Sequence, residues 1–172
     1  MQLPKACLFD LDGVLIDTEG LHSEAWTKAA SFFGKDLTRE QLIMLKGRRR
    51  NDCAQKIVDW IERAVTVNDV LKVHEPISRD LMTKARAMPG AEDLIKWCFW
   101  NKIKIALVTS SSLKSVEFKT SSHIWLNLIK TRVYGDDPML KRGKPSPDPY
   151  LLAAKKLNEF PKYCWAVEDS QS

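Results

Sequence analysis

The sequence predicts an α/β fold: a doubly wound, Rossmann-like parallel sheet interrupted by an inserted helical segment. Three observations lead there. Short, continuously apolar runs recur along the chain and each ends in polar residues, as buried parallel strands do. Helical patterns fill most of the intervals between them. About 90 residues between the first and second run carry no strand signal, far more than one crossover helix needs.

Ala6-Cys7-Leu8-Phe9 is the first run, ending at Asp10, Asp12 and Gly13. Ile103 to Val108 is the second, closed by Thr109 and three serines. Arg132-Val133-Tyr134 is a weaker third, and Tyr163 to Val167, before Glu168-Asp169, a fourth. Helices are expected over Ala91 to Asn101 and Asp148 to Asn158. In the long interval, Thr38-Arg39-Glu40-Gln41 has the capping-box form and Gly47 falls where that helix should stop. Ala54, Ile57, Val58 and Ile61 share one face of a helix expected over Asn51 to Ala64, and Pro76 is expected to break or kink the next. The resulting division is a sheet-bearing core at 1–15 and 89–172 with a helical domain at 16–88.

Composition sets outer limits. The chain has 172 residues, 44% hydrophobic and 28% charged, which suits a packed core and argues against disorder. Its 27 Lys and Arg against 22 Asp and Glu give +5, compatible with an anionic ligand but unable to separate a phosphate ester from nucleic acid. Cys7, Cys53, Cys98 and Cys164 show neither zinc nor disulfide spacing and read as buried thiols of a cytoplasmic protein. No apolar run reaches the ~18 residues of a membrane helix, so no membrane partner is expected.

The chemistry concentrates at the strand ends, where the loops of open α/β sheets converge on one crevice. Asp10 and Asp12, two apart in extended backbone, should turn both carboxylates to one side, and Gly13 lets the chain turn sharply. Acids so close repel unless a cation or proton lies between them. All-oxygen surroundings favour Mg²⁺, for which Glu168 and Asp169 supply further ligands. Thr109 with Ser110 to Ser112 could equally be a polar loop capping the next helix.

Leu8-Phe9-Asp10-Leu11-Asp12-Gly13-Val14-Leu15 resembles the first motif of the haloacid dehalogenase superfamily. Thr109, Lys144-Pro145 and Glu168-Asp169 match its second, third and fourth motifs in order. The helical insertion directly after the first motif, with Asp17-Thr18, His22, Trp26, Leu45-Lys46-Gly47, Arg50 and Gln55-Lys56-Ile57, resembles the β-phosphoglucomutase-like subfamily and its helical cap. The resemblance implies Asp10 as a nucleophile that becomes phosphorylated, Asp12 as general acid and base, Thr109 as a donor to the phosphoryl group and Lys144 as its counter-charge. It implies a Mg²⁺ site of Asp10, Asp12, Glu168 and Asp169, with Asp12 contributing its backbone carbonyl. Substrate binding would fall to His22, Arg50 and Ser110.

The implied activity is a Mg²⁺-dependent phosphatase acting as a monomer on a small phosphorylated metabolite, a sugar phosphate foremost. A phosphomutase of the β-phosphoglucomutase type shares every motif residue. A basic nucleic-acid module built on Arg48, Arg49 and Arg50 is the alternative from another class, and it leaves the ordered acids without a role. Family members continue past the fourth motif with a glycine, a helix and a further strand, so the resemblance also implies a sheet truncated at its C-terminal end.

Overall fold

The computed structural model describes residues 3–46, 48 and 50–169. Gly47 and Arg49, for which a helix stop and a basic cluster are expected, lie outside the described residues. Two compact units are present: the described residues of Met1–Thr18 with Ala85–Ser172, and Glu19–Lys84. The first unit carries the sheet.

In chain order the elements are β1 (Ala6–Phe9), β2 (Ile16–Asp17), α1 (Glu19–Phe32), α2 (Arg39–Leu45), α3 (Arg50–Trp60), α4 (Val67–Met82), β3 (Arg86–Ala87), α5 (Ala91–Trp100), β4 (Lys104–Val108), α6 (Leu113–Lys119), β5 (Thr131–Val133), α7 (Asp148–Lys156) and β6 (Cys164–Val167). A four-stranded parallel sheet runs in the order β5-β4-β1-β6. β1 is buried throughout because it has a strand on each side and a helix over each face. Ala6, Leu8, Ala106, Val108 and Val133 form one face and pack on Ala153 and Ala154 of α7, small residues that let the helix lie close. Cys7 and Ile105, adjacent in register, point the other way, where Cys7 meets Cys98 of α5. Helices therefore cover both faces, the doubly wound α/β arrangement expected.

β2 and β3 form a small antiparallel ladder, Ile16 with Ala87 and Asp17 with Arg86. At two residues each they carry no periodicity that a sequence reading could register. They tie the chain leaving β1 to the chain re-entering at Ala85, which is why the helical unit begins at Glu19 and ends at Lys84.

Inside the helical unit, Trp26, Ala30, Leu45, Cys53, Ala54, Ile57 and Val70 make a core of their own. Thr38 and Gln41 form the capping box of α2. The helix expected over Asn51 to Ala64 is α3, and it stops at Trp60. Pro76 does not break its helix: α4 runs through it from a second capping box at Thr66 and Asp69. The burial of Val70, His74, Leu81 and Met82 on one side of α4 outweighs the single backbone donor that proline removes.

Candidate active site

Strand β1 delivers Asp10 one residue past its end, with the Asp10 amide donating to the Val167 carbonyl of β6 at 3.0 Å. Its carboxylate is buried and accepts from Lys144 Nζ at 2.7 Å. The same ammonium reaches Glu168 Oε1, and the Tyr150 hydroxyl donates to that oxygen at 2.8 Å. Burial pushes the Asp10 carboxyl up to about 6, against the pull of Lys144 and with a further push from Glu168. Burial and the Glu168 contact likewise push the Tyr150 phenol up, so Tyr150 remains a donor.

Asp10, Glu168 and Asp169 bring carboxylate oxygens within 4.8 Å of one another. Gly13 makes this grouping possible. A Cβ on Gly13 would lie 2.2 Å from Asp169 Oδ2, and its φ of +81° suits glycine. Three convergent carboxylates with no nitrogen or sulfur donor among them fit a hard divalent cation.

The Asp12 carboxylate is outside that group. β1 ends at Phe9, so Asp12 sits in the turn beyond the strand, bridged to Ile16. Its Oδ1 accepts from the Thr18 hydroxyl and from Lys119 Nζ, each at 2.7 Å, and its Oδ2 accepts from the Ser111 hydroxyl at 3.1 Å. The two neighbouring acids are thus separately neutralised, Asp10 by Lys144 and Asp12 by Lys119.

Thr109 is buried at the end of β4, its amide donating to the Val133 carbonyl. Its hydroxyl accepts from the Ser111 amide at 3.0 Å, which leaves its own proton to donate elsewhere. Ser112, three residues on, is the side-chain cap of α6. The polar run therefore holds a buried strand-end hydroxyl and a helix cap together. Ser110 is exposed, and its carbonyl lies where a Cβ on Gly135 would approach to 2.1 Å.

Of the residues singled out in the sequence, Asp10, Lys144, Glu168 and Asp169 come together, and Asp12 and Thr109 stand at neighbouring strand ends. His22 and Arg50 lie in the helical unit, both exposed. Lys119 and Tyr150 were not anticipated. Val116 and Lys119 are spaced to share the buried face of α6, so a lysine on an apolar helical face was the available signal. Tyr150, in the first turn of α7, had no comparable mark.

An open α/β sheet whose strand ends gather a buried aspartate, a lysine and two further acids is the architecture of a phosphoryl-transfer or metal-assisted hydrolytic protein. The chain belongs to the haloacid dehalogenase-like hydrolase family, whose model matches residues 4–172. It is 32% identical over 169 residues to a bifunctional riboflavin kinase/FMN phosphatase of Arabidopsis thaliana, covering 98% of this chain and 44% of that one. It is 30% identical to the phosphorylated carbohydrates phosphatase of Thermotoga maritima, over 98% of this chain and 77% of the relative. A solved Thermotoga maritima structure, provisionally classed as a β-phosphoglucomutase, superposes with a TM-score of 0.87 at 27% identity, covering 97% of this chain and 77% of that one. The chain thus spans less than half of one relative and about three quarters of the others. Among the described residues, no helix is long and apolar enough to cross a membrane.

Proposed function

We propose that the protein is a Mg²⁺-dependent phosphatase of small phosphate monoesters carried on polyhydroxylated carbon chains, working through an aspartyl-phosphate. The observation that carries this reading is the buried Asp10 carboxylate, held on Lys144 beside Glu168 and Asp169. FMN and phosphorylated carbohydrates, the substrates named for two relatives, both present a phosphate ester on a polyol or sugar carbon.

Asp10 attacks phosphorus in line and forms the acyl phosphate, while the leaving alkoxide takes a proton from Asp12. Asp12 then accepts a proton from water as that water attacks the phosphorus, releasing phosphate and restoring Asp10. Thr109 donates to a phosphoryl oxygen, and Lys144 offsets negative charge on Asp10 and the phosphoryl group. Asp10, Glu168 and Asp169, with the Asp12 carbonyl, would hold Mg²⁺, which when bound supplies positive charge to the phosphoryl oxygens. Arg50, His22 and Ser110 remain the proposed substrate-binding groups.

The likeness to a β-phosphoglucomutase-class structure supports a second reading, in which a sugar hydroxyl replaces water. A screen of sugar and polyol phosphates with Mg²⁺, measuring phosphate release beside positional isomerisation, separates the two. Release is expected. Isomerisation without release would establish the mutase, and neither outcome from any ester would end the phosphoryl-transfer reading.

A further inference from the structure

Lys119 is a lysine in the last turn of a helix, where such a side chain ordinarily extends to solvent or binds the final helix carbonyls. It does neither. The residue is 3% exposed, and its Nζ donates to Asp12 Oδ1 at 2.7 Å and to Ser111 Oγ at 3.0 Å. A buried ammonium is unfavourable unless a charge and hydrogen bonds compensate it, and a carboxylate from the far end of the chain does so here.

We propose that Lys119 is the positioning residue of Asp12: together with Thr18 and Ser111 it fixes the orientation in which that carboxylate exchanges a proton with the leaving oxygen and then with water. Asp12 stands in a turn, where a short side chain has several staggered rotamers to choose from. Its anchors come from three places: Thr18 after β2, Ser111 after β4 and Lys119 at the end of α6. The triangle is closed by the Lys119 to Ser111 bond, so displacing one anchor loosens another. Lys144 serves Asp10 in the same way, and the two acids are held by separate cations in separate directions. The proton-transfer role of Asp12 rests on the phosphatase reading, whereas the positioning claim rests on these contacts alone.

The test compares two esters in the wild-type protein, Lys119→Met and Ser111→Ala, using kcat/KM because it reports phosphoenzyme formation. Ribose 5-phosphate has an alkoxide leaving group that needs a proton, and p-nitrophenyl phosphate has one that does not. For Lys119→Met, ribose 5-phosphate should lose on the order of 100-fold and p-nitrophenyl phosphate less than about tenfold. Ser111→Ala should show the same split at smaller size with an unchanged melting temperature, which covers the case of a Lys119 variant that fails to fold. Equal losses on both esters, or no loss, would overturn the proposal. A crystal structure of either variant adds a readout independent of turnover: Asp12 should leave the orientation set by its three anchors, and an unmoved carboxylate would also overturn it. Should the wild-type protein hydrolyse neither ester, the phosphatase reading falls and the crystallographic comparison alone decides the positioning claim.

Discussion

The two compact units treat their polar side chains in opposite ways. In the sheet-bearing unit, Asp10, Asp12, Thr109, Lys119 and Lys144 each have named hydrogen-bond partners, and most of those partners come from distant parts of the sequence. In the helical unit, His22 and Arg50 are exposed, while the buried His74 has neither ring nitrogen hydrogen-bonded among the described residues. His74 lies flat against Trp26, ring centroids 3.6 Å apart and planes 17° from parallel. Among the described residues, the buried Asp10, Thr109 and Lys119 of the first unit are hydrogen-bonded, whereas His74 of the second is held as an aromatic surface.

Removing the proposed nucleophile should sharpen this contrast most. Asp10→Asn keeps the side chain's shape and removes its charge, so turnover should drop by at least about 10³-fold with little change in melting temperature. Persistent steady-state activity in a contaminant-free preparation would dismiss Asp10 as the nucleophile.

His74 should govern a pH dependence of stability. Burial holds its folded-state pKa at about 4, with Arg50 and His22 adding to the depression, against 6.5 in the unfolded chain. The unfolded state therefore takes up the proton first. Its contribution is complete above pH 6.5 and is lost as pH falls toward 4, by up to about 3 kcal/mol. His74→Phe should retain the stack on Trp26 and flatten that part of the profile. Urea titrations at pH 7 and pH 4.5 measure it, and identical pH dependence in both proteins would show the ring to be protonated in the folded state.

Gly13→Ala should push Asp169 out of its carboxylate group and weaken divalent-cation binding by about 10–100-fold, read directly by calorimetric titration with Mg²⁺. Unchanged affinity would remove Asp169 from the proposed metal site. The smallest effect is expected for Arg50→Ala: a rise of about tenfold in KM for sugar phosphates, with p-nitrophenyl phosphate nearly unaffected. Equal changes for both esters would make Arg50 structural and leave the helical unit without a demonstrated recognition residue.

The legible parts of the sequence were those in which local pattern and final geometry coincide. An apolar run that ends in an acid is also a buried strand that ends in a crevice, so β1 and the residues after it could be placed from sequence. β4 and β6 followed from the same signal, with boundaries shifted by a residue. Lys119 was harder to read, its spacing from Val116 on α6 being the one local mark of its burial. Lysine carries no burial signal of its own, and its partner Asp12 stands far away in sequence. The partners of Asp12 were not readable either, since β1 ends at Phe9 and two of its three anchors, Ser111 and Lys119, stand 99 and 107 residues away. Pro76 does not end α4 because one missing backbone donor counts for less than the burial of Val70, His74, Leu81 and Met82.

The seat of Asp169 against Gly13 has a consequence for when activity can begin during synthesis. The first strand made, β1, finds its last partner only when β6 has been made, and the carboxylate group draws on both. A nascent chain still lacking residues 168 and 169 carries the proposed nucleophile without two of its three grouped acids. Pairing across so long a sequence interval is also slow to form. On the proposed mechanism, phosphoryl transfer would therefore be withheld from any nascent chain in which β6 has not yet left the ribosome and docked beside β1.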